Sequence, residues 1–262
     1  MVPPNHATPP FVRLAGHPLR WRLLTELAGG DYRVRELTEL VGQPQNLVSY
    51  HLRLLRGGGL VTARRSSFDA RDSYYHLELD RCAQALTSAG ATLHPGLRLG
   101  QPPPPTMPGP RSARPRVLFA CTGNSARSPI AEALLRRRSV GRVEVTSAGS
   151  HAKPRVHPHA VLALREEFGI DIAGHRPRGL AAVTGRRFDY VITLCDRARE
   201  VCPEFGDQPR LIHWSIPDPA TARGNDQAGY PAFSRAVTEI NTRVRYLLPV
   251  LAATARPEVD SS

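Results

Sequence analysis

Cys121 and Arg127 bracket a short polar run, Thr122-Gly123-Asn124-Ser125-Ala126, and Ser128-Pro129 follow at once. The run comes after an apolar stretch, Val117 to Ala120, and before one with helical spacing. A cysteine at the carboxyl end of a strand and an arginine at a helix N-terminus make an anion cradle, because loop N–H groups and the helix dipole both favour negative charge. The same field favours the thiolate of Cys121, and the thiolate is the nucleophile. Arg127 can hold a tetrahedral oxyanion through two N–H groups. Thr122, Gly123, Asn124, Ser125, Ala126 and Ser128 are the other candidates for oxyanion binding. Asp218, in Ile216-Pro217-Asp218-Pro219, follows another apolar run. A carboxyl near such a loop can protonate a leaving oxygen, although Asp-Pro alone is only a turn signal. Cys195 and Cys202 lie seven residues apart after a further apolar run. Thiols so placed can supply electrons, or can be two packed cysteines.

The elements that must position these groups follow from the pattern around them. Val117–Ala120 reads as a buried strand, and Ser128-Pro129 opens a helix with Ser128 as N-cap and Pro129 in the first turn. Strand Val143–Ala148, helix His157–Phe168, strand Tyr190–Leu194, strand Leu211–Trp214 and helix Pro231–Leu251 continue the alternation. Alternating β and α implies a parallel four-stranded flavodoxin-like sheet with right-handed crossovers. The site then belongs at the carboxyl ends of the strands, where Cys121 stands.

The stretch RVLFACTGNSARSPIAEALLRRR, Arg116 to Arg138, resembles the phosphate-binding loop of the low-molecular-weight protein tyrosine phosphatase superfamily, which includes thiol-linked arsenate reductases. The resemblance implies Cys121 as nucleophile, Arg127 and the loop amides as the oxyanion site, Asn124 and Ser128 as groups that orient the loop, and Asp218 as general acid. TLCDRAREVCPEF resembles the redox segment of thioredoxin-coupled arsenate reductases. By that resemblance Cys195 attacks the Cys121 adduct and Cys202 resolves the mixed disulfide. The loop departs from the superfamily at Ala126, where a second cysteine is common. Geometry adds a constraint: seven residues of continuous helix rise ~10.5 Å, whereas a disulfide needs Cα atoms within ~7 Å. The segment must therefore be a loop or unwind on oxidation; Asp196, Pro203 and Gly206 suit low local stability.

Ahead of this lies a segment of different pattern. Leu14–Leu27 and Val34–Val41 have helical spacing, and Gly42-Gln43-Pro44 is a turn. Gln45–Arg56 is a third helix, with Leu47, Val48, Leu52 and Leu55 toward a core and Gln45, Asn46, Ser49, Tyr50 and Arg53 on the other side. Leu60–Ala63 and Tyr74–Leu79 read as a hairpin whose connection carries Arg64, Arg65 and Arg71. A short helix, a turn and a helix with polar groups near its N-terminus suit the major groove, with the hairpin as a wing on the phosphate backbone. The pieces GHPLRWRLLTELAGG, LVGQPQNLVSYHLRLLRGGGLV and DSYYHLEL resemble the ArsR-type winged helix repressors. That resemblance implies a double-stranded DNA operator as partner and a homodimer through the N-terminal domain. His51 joins the DNA-facing candidates. The Cys-x-Cys metal sensor of many such repressors has no counterpart, since the helix before the recognition helix lacks cysteine, and the role of Cys82 stays open.

The expected division is a winged helix domain over 11–99, a Pro-rich linker over 100–114 and a phosphatase-fold domain over 115–256. Residues 1 to about 10 are Pro-rich and expected to be disordered. Hydrophobic content of 41% across 262 residues suffices for packed cores. The formal net charge of +12 fits anionic partners or a merely solvated basic surface. Four cysteines are too few for a disulfide scaffold, and no apolar run approaches ~20 residues. No signal sequence is read, so a cytoplasmic protein with no membrane contact is expected. His151, His157, His159 and His175 lack metal-ligand spacing, and neither metal nor bound cofactor is expected. The combined reading is an arsenate reductase fused to a repressor, taking thioredoxin or a low-molecular-weight thiol such as mycothiol as reductant. A protein tyrosine phosphatase joined to a repressor, and a non-catalytic oxyanion-sensing regulator, are the competing readings.

Overall fold

The computed structural model describes residues 8–94, 97, 114–205, 208–221 and 226–254, with the side chains of 226–228 and 254 set aside. The Pro-rich stretch expected as a linker falls, apart from Arg114, outside the described residues, as do Gly206 and residues 255 and 256. The chain divides into two units, 1–103 and 104–262.

In the first unit, the single helix expected over Leu14–Leu27 is two: α1, Pro10–Ala15, and α2, Pro18–Gly29. Proline disfavours the α conformation in the residue before it, and His17 is extended there. His17 Nδ1 then caps α2 by accepting a hydrogen bond from the Leu19 amide at 3.2 Å. β1, Tyr32–Arg33, leads into α3, Val34–Val41, which Gly42 ends at φ 62°. α4, Gln45–Gly57, is followed by β2, Val61–Arg65, β3, Ser73–Leu77, and α5, Leu79–Leu93. The three strands pair antiparallel in the order β1-β3-β2. Leu23, Leu27, Leu37, Val41, Val48, Leu52 and Leu55 form the core. Leu47, expected among them, is exposed instead, because it sits about 100° round the helix from Val48.

The second unit alternates strand and helix. β4, Arg116–Cys121, and α6, Arg127–Arg138, are followed by β5, Glu144–Gly149, α7, Pro158–Phe168, β6, Tyr190–Thr193, α8, Asp196–Glu200, β7, Arg210–His213, and α9, Asp226–Thr254. The four strands run parallel in the order β5-β4-β6-β7. Successive β4 residues point to opposite faces. Val117 and Phe119 join the larger core with Ile130, Leu134, Leu164 and Val237. Leu118 and Ala120 join a smaller cluster with Leu180, Val183, Phe188 and Phe205. Burial on both faces explains why the strands read as continuous apolar runs. Among the described residues no helix is long and apolar enough to cross a membrane.

Candidate active site

Cys121 closes β4, and α6 begins at Arg127, so the loop between them is the turn the alternating pattern requires. The segment after β5 turns this loop outward. The backbone amides of Ser150, His151, Lys153 and His157 donate to the carbonyls of Cys121, Thr122, Gly123 and Ser125 at 3.0, 2.8, 2.9 and 2.8 Å. With those carbonyls engaged on the outside, the loop amides are free to face an anion at the helix N-terminus. One amide already points at the thiol: Asn124 N lies 3.3 Å from Cys121 Sγ. Ser128 Oγ lies 3.0 Å from the same sulfur. Ser128 is therefore not the N-cap expected of it. Ala126 holds that position, and the Ser128 hydroxyl is turned to the thiol rather than to the helix end.

Asn124 adopts φ 45°, a left-handed conformation costly for most side chains. Its amide group accounts for the choice. Asn124 Nδ2 donates to Ser128 Oγ at 2.9 Å and to Ser147 Oγ at 2.8 Å. Its Oδ1 accepts from the Arg178 amide at 2.8 Å and contacts His175 Nε2 at 3.3 Å. Ser147 Oγ in turn donates to Glu132 Oε2, and Arg136 pairs with the same carboxylate. Burial, helped by Arg178 and Arg136 and opposed by Glu132, holds the His175 pKa below its ordinary value. Glu132 and Ser147 are not singled out by the sequence, and His175 enters there only among the histidines without metal-ligand spacing. The available signal was a carboxylate among Ile130, Ala131, Ala133 and Leu134, all buried.

Arg127 is buried and doubly held. Its Nη1 donates to the Ile216 carbonyl at 3.0 Å, and its Nη2 pairs with Asp218 Oδ2 at 2.9 Å. Asp218 is partly exposed at the mouth of the loop and also accepts from the Ala220 amide. Burial would weaken Arg127 as a base, but Cys195, Cys121, Asp218 and Asp196 around it outweigh that and raise its pKa.

Cys195 stands at the N-cap position of α8 and is buried, with its sulfur 3.3 Å from Thr122 Oγ1 in the oxyanion loop. Cys202 stands just beyond α8, half-buried against the smaller cluster, and burial pushes its thiol up to about 11. Both are free thiols, as are Cys82 and Cys121. Between them α8 gives Asp196, Arg197, Ala198, Arg199 and Glu200 helical form. Next to Cys195 lies a buried polar chain absent from the sequence reading. His213 Nδ1 lies 2.8 Å from Thr193 Oγ1, His213 Nε2 lies 3.1 Å from Asp196 Oδ1, and Ser215 Oγ donates to Asp196 Oδ1 at 2.7 Å. Among the described residues no group of three or more His, Cys, Asp and Glu side chains is placed to hold a metal ion.

In the first unit, Gln45, Asn46, Tyr50 and Arg53 are exposed on α4 and Ser49 is half-buried. Arg65 and Arg71 are exposed and Arg64 is half-buried. Arg71 pairs with Asp69 at 2.8 Å, and Arg65 Nη1 donates to the Ala70 carbonyl at 2.9 Å. His51 corrects the expectation of a DNA-facing residue. It is 4% exposed, its ring centroid 4.4 Å from that of His17. Three residues after Val48 and four before Leu55, it lies on the buried stripe of α4. Burial, His17 and Arg20 all lower its pKa.

Residues 116–257 match the family described as low molecular weight phosphotyrosine protein phosphatase. Residues 17–63 match the family described as bacterial regulatory protein, arsR family. An arsenate reductase of Halalkalibacterium halodurans is 36% identical over 129 residues, which are 49% of this chain and 91% of that protein. An arsenate reductase of Bacillus subtilis is 34% identical over the same length and the same shares of the two chains. The crystal structure of an arsenate reductase from Archaeoglobus fulgidus DSM 4304 is 29% identical, with a TM-score of 0.42 over 51% of this chain and 98% of that one. The strand–loop–helix that carries Cys121 and Arg127 thus falls within a match spanning more than half of the chain, which belongs to the low molecular weight phosphotyrosine protein phosphatase family and carries an arsR-family helix-turn-helix segment at its N-terminus.

Proposed function

We propose that this chain reduces arsenate to arsenite with its own thiols and also regulates transcription as a DNA-binding protein. The observation that carries the first half is the second buried thiol at the oxyanion loop, Cys195 Sγ at 3.3 Å from Thr122 Oγ1. Hydrolysis of a phosphate ester needs only Cys121, Arg127 and Asp218. The Cys121 thiolate attacks arsenic and displaces an oxygen that leaves as water, with Asp218 giving the proton. Arg127 and the loop amides stabilise the charge on the remaining oxygens. The Cys195 thiolate then attacks the Cys121 sulfur. The sulfur–arsenic bond breaks with its electron pair passing to arsenic, arsenite departs, and a Cys121–Cys195 disulfide remains. Cys202 attacks Cys195, frees the Cys121 thiolate and leaves Cys195–Cys202 oxidised, so two thiols have supplied the two electrons. An external dithiol of the thioredoxin type suits that disulfide, whereas a low-molecular-weight thiol such as mycothiol or glutathione would make Cys202 dispensable.

The working division is 11–99 for DNA binding, 100–114 as linker and 115–256 for catalysis, in a cytoplasmic protein. α4 enters the major groove through Gln45, Asn46, Ser49, Tyr50 and Arg53, and Arg64, Arg65 and Arg71 meet phosphates beside it. The protein binds its operator as a homodimer.

The test uses fully reduced protein and arsenate with no added reductant. About one arsenite per chain is expected, with a Cys195–Cys202 bridge in the peptide map. No arsenite and no bridge, with an aryl phosphate hydrolysed instead, would move the assignment to a phosphatase. The Arg127–Asp218 pair serves either reaction.

A further inference from the structure

The imidazole of His213 touches the residues on both sides of the Leu194-Cys195 step. Its Nδ1 meets Thr193 Oγ1 at 2.8 Å and its Nε2 meets Asp196 Oδ1 at 3.1 Å. Ser215, two residues further along, reaches the same carboxylate oxygen at 2.7 Å. Thr193 and His213 are paired in register across β6 and β7, so the ring is anchored by the sheet itself. In the neutral tautomer that carries its proton on Nε2, the Thr193 hydroxyl donates to Nδ1 and Nε2–H donates to Asp196; the Ser215 hydroxyl also donates to Asp196. All four residues are buried.

Buried polar groups at the carboxyl ends of β6 and the edge strand β7 are costly unless satisfied, and apolar side chains would pack there at less cost. This chain is satisfied, and it flanks the one thiol whose position matters for attack on Cys121. Cys195 itself is extended, at φ −160° and ψ 151°, where β6 gives way to α8. Cys195 is packed in the larger core, between the end of β6 and an α8 of only five residues. The hydrogen bonds of Thr193 and Asp196 to His213 add directional restraint on either side of it to that packing.

We propose that Thr193, His213, Asp196 and Ser215 form a positioning clamp for Cys195. The clamp holds that thiol against the oxyanion loop for its attack on the Cys121 sulfur. This rests on the thiol relay proposed above. It assigns a role to residues that take no part in binding the oxyanion or in forming the arsenic–sulfur bond. His213 and Ser215 are the residues to alter, because Asp196 also adds to the negative field at Arg127.

Two quantities separate a positioning role from a general structural one. The rate of arsenite release in a single turnover of reduced protein requires Cys195, whereas the affinity for inorganic phosphate requires only the loop. His213→Leu is expected to slow arsenite release roughly 10- to 100-fold, the scale of a misplaced reacting group, and to leave the phosphate Kd within about twofold. His213→Gln, which keeps a donor toward Asp196, should recover part of the rate. Ser215→Ala should show a smaller loss in the same step and provides the reading if His213→Leu does not fold. Wild-type release rates in these variants would overturn the proposal, and so would phosphate affinity falling by the same factor as the rate. Cys195→Ser is the control for the relay. If it releases arsenite at the wild-type rate, the relay itself fails; if it releases none while the His213 and Ser215 variants release it normally, only the clamp fails.

Discussion

Cys202, the resolving thiol of the proposed relay, is held mostly in its protonated form. Burial pushes it up to about 11, and it packs with the smaller apolar cluster while Cys195 lies in the larger one. A thiol with so high a pKa is only about one part in a thousand thiolate at pH 8. Alkylation of Cys202 by iodoacetamide in the reduced protein should therefore be slow at pH 8 and rise about tenfold per pH unit toward pH 10. A rate flat across that range would mean that the thiol is not buried as described. Asn124 illustrates a different kind of dependence. Its left-handed backbone is held by bonds to Ser128, Ser147 and the Arg178 amide. Asn124→Ala keeps the strained φ and strands those partners. We expect a loss of about 1–3 kcal/mol in a denaturant titration, seen as a shifted midpoint with an unchanged slope. Phosphate binding should fall with it.

At the scale of elements, the loop depends on a neighbour as much as on its own residues. β5 ends at Gly149, paired in register with Cys121. A Cβ there would come within 2.7 Å of the Thr122 carbonyl oxygen and 2.8 Å of the Asn124 amide nitrogen. Both are backbone atoms of the oxyanion loop, so neither can swing aside as a side chain would. Gly149→Ala should abolish phosphate binding and arsenite release while β4 and α6 keep their far-ultraviolet circular dichroism; normal activity would show that the loop has slack. α8 carries the other expectation. It is helical between two cysteines that the proposed disulfide would hold within about 7 Å of each other. Oxidation should therefore raise amide exchange over residues 195–205, and identical exchange in both redox forms would exclude unwinding. The loop and its flanking elements were legible in the sequence because strand, polar turn and helix differ sharply in periodicity there. α5 was not: Ala, Ser, Thr and Gly dilute its apolar stripe. The clamp was not either, since nothing local ties Asp196 to His213 and the pairing exists only once β6 and β7 lie side by side. His51 failed for a third reason, a polar residue set on an apolar face that pattern alone assigns to the outside.

Over the whole molecule, the positive charge is not concentrated where DNA would be read. Residues 1–103 hold 12 arginines against 8 acidic side chains, whereas residues 104–262 hold 23 basic against 15 acidic. Sequence-specific binding must then come from the few side chains exposed on α4 and from joining two half-sites, not from charge density. The proposed homodimer would join two half-sites, and α5 offers a surface for it. Of its 15 residues only Ala89 is buried, while Leu86 and Leu93, two turns apart on one side, are 48% and 81% exposed. Covering such side chains with a second copy removes apolar area from water at both ends of the helix. Leu86→Glu would place two carboxylates in that contact. It should turn the protein into a monomer by sedimentation at micromolar concentration and weaken binding to a two-half-site operator by at least about tenfold, because the second half-site is no longer bound intramolecularly. Arsenite released per chain should not change, since the second unit has a core of its own. A variant that stays dimeric would place the dimer contact elsewhere, and a variant that loses arsenite release as well would reveal that the two units depend on each other.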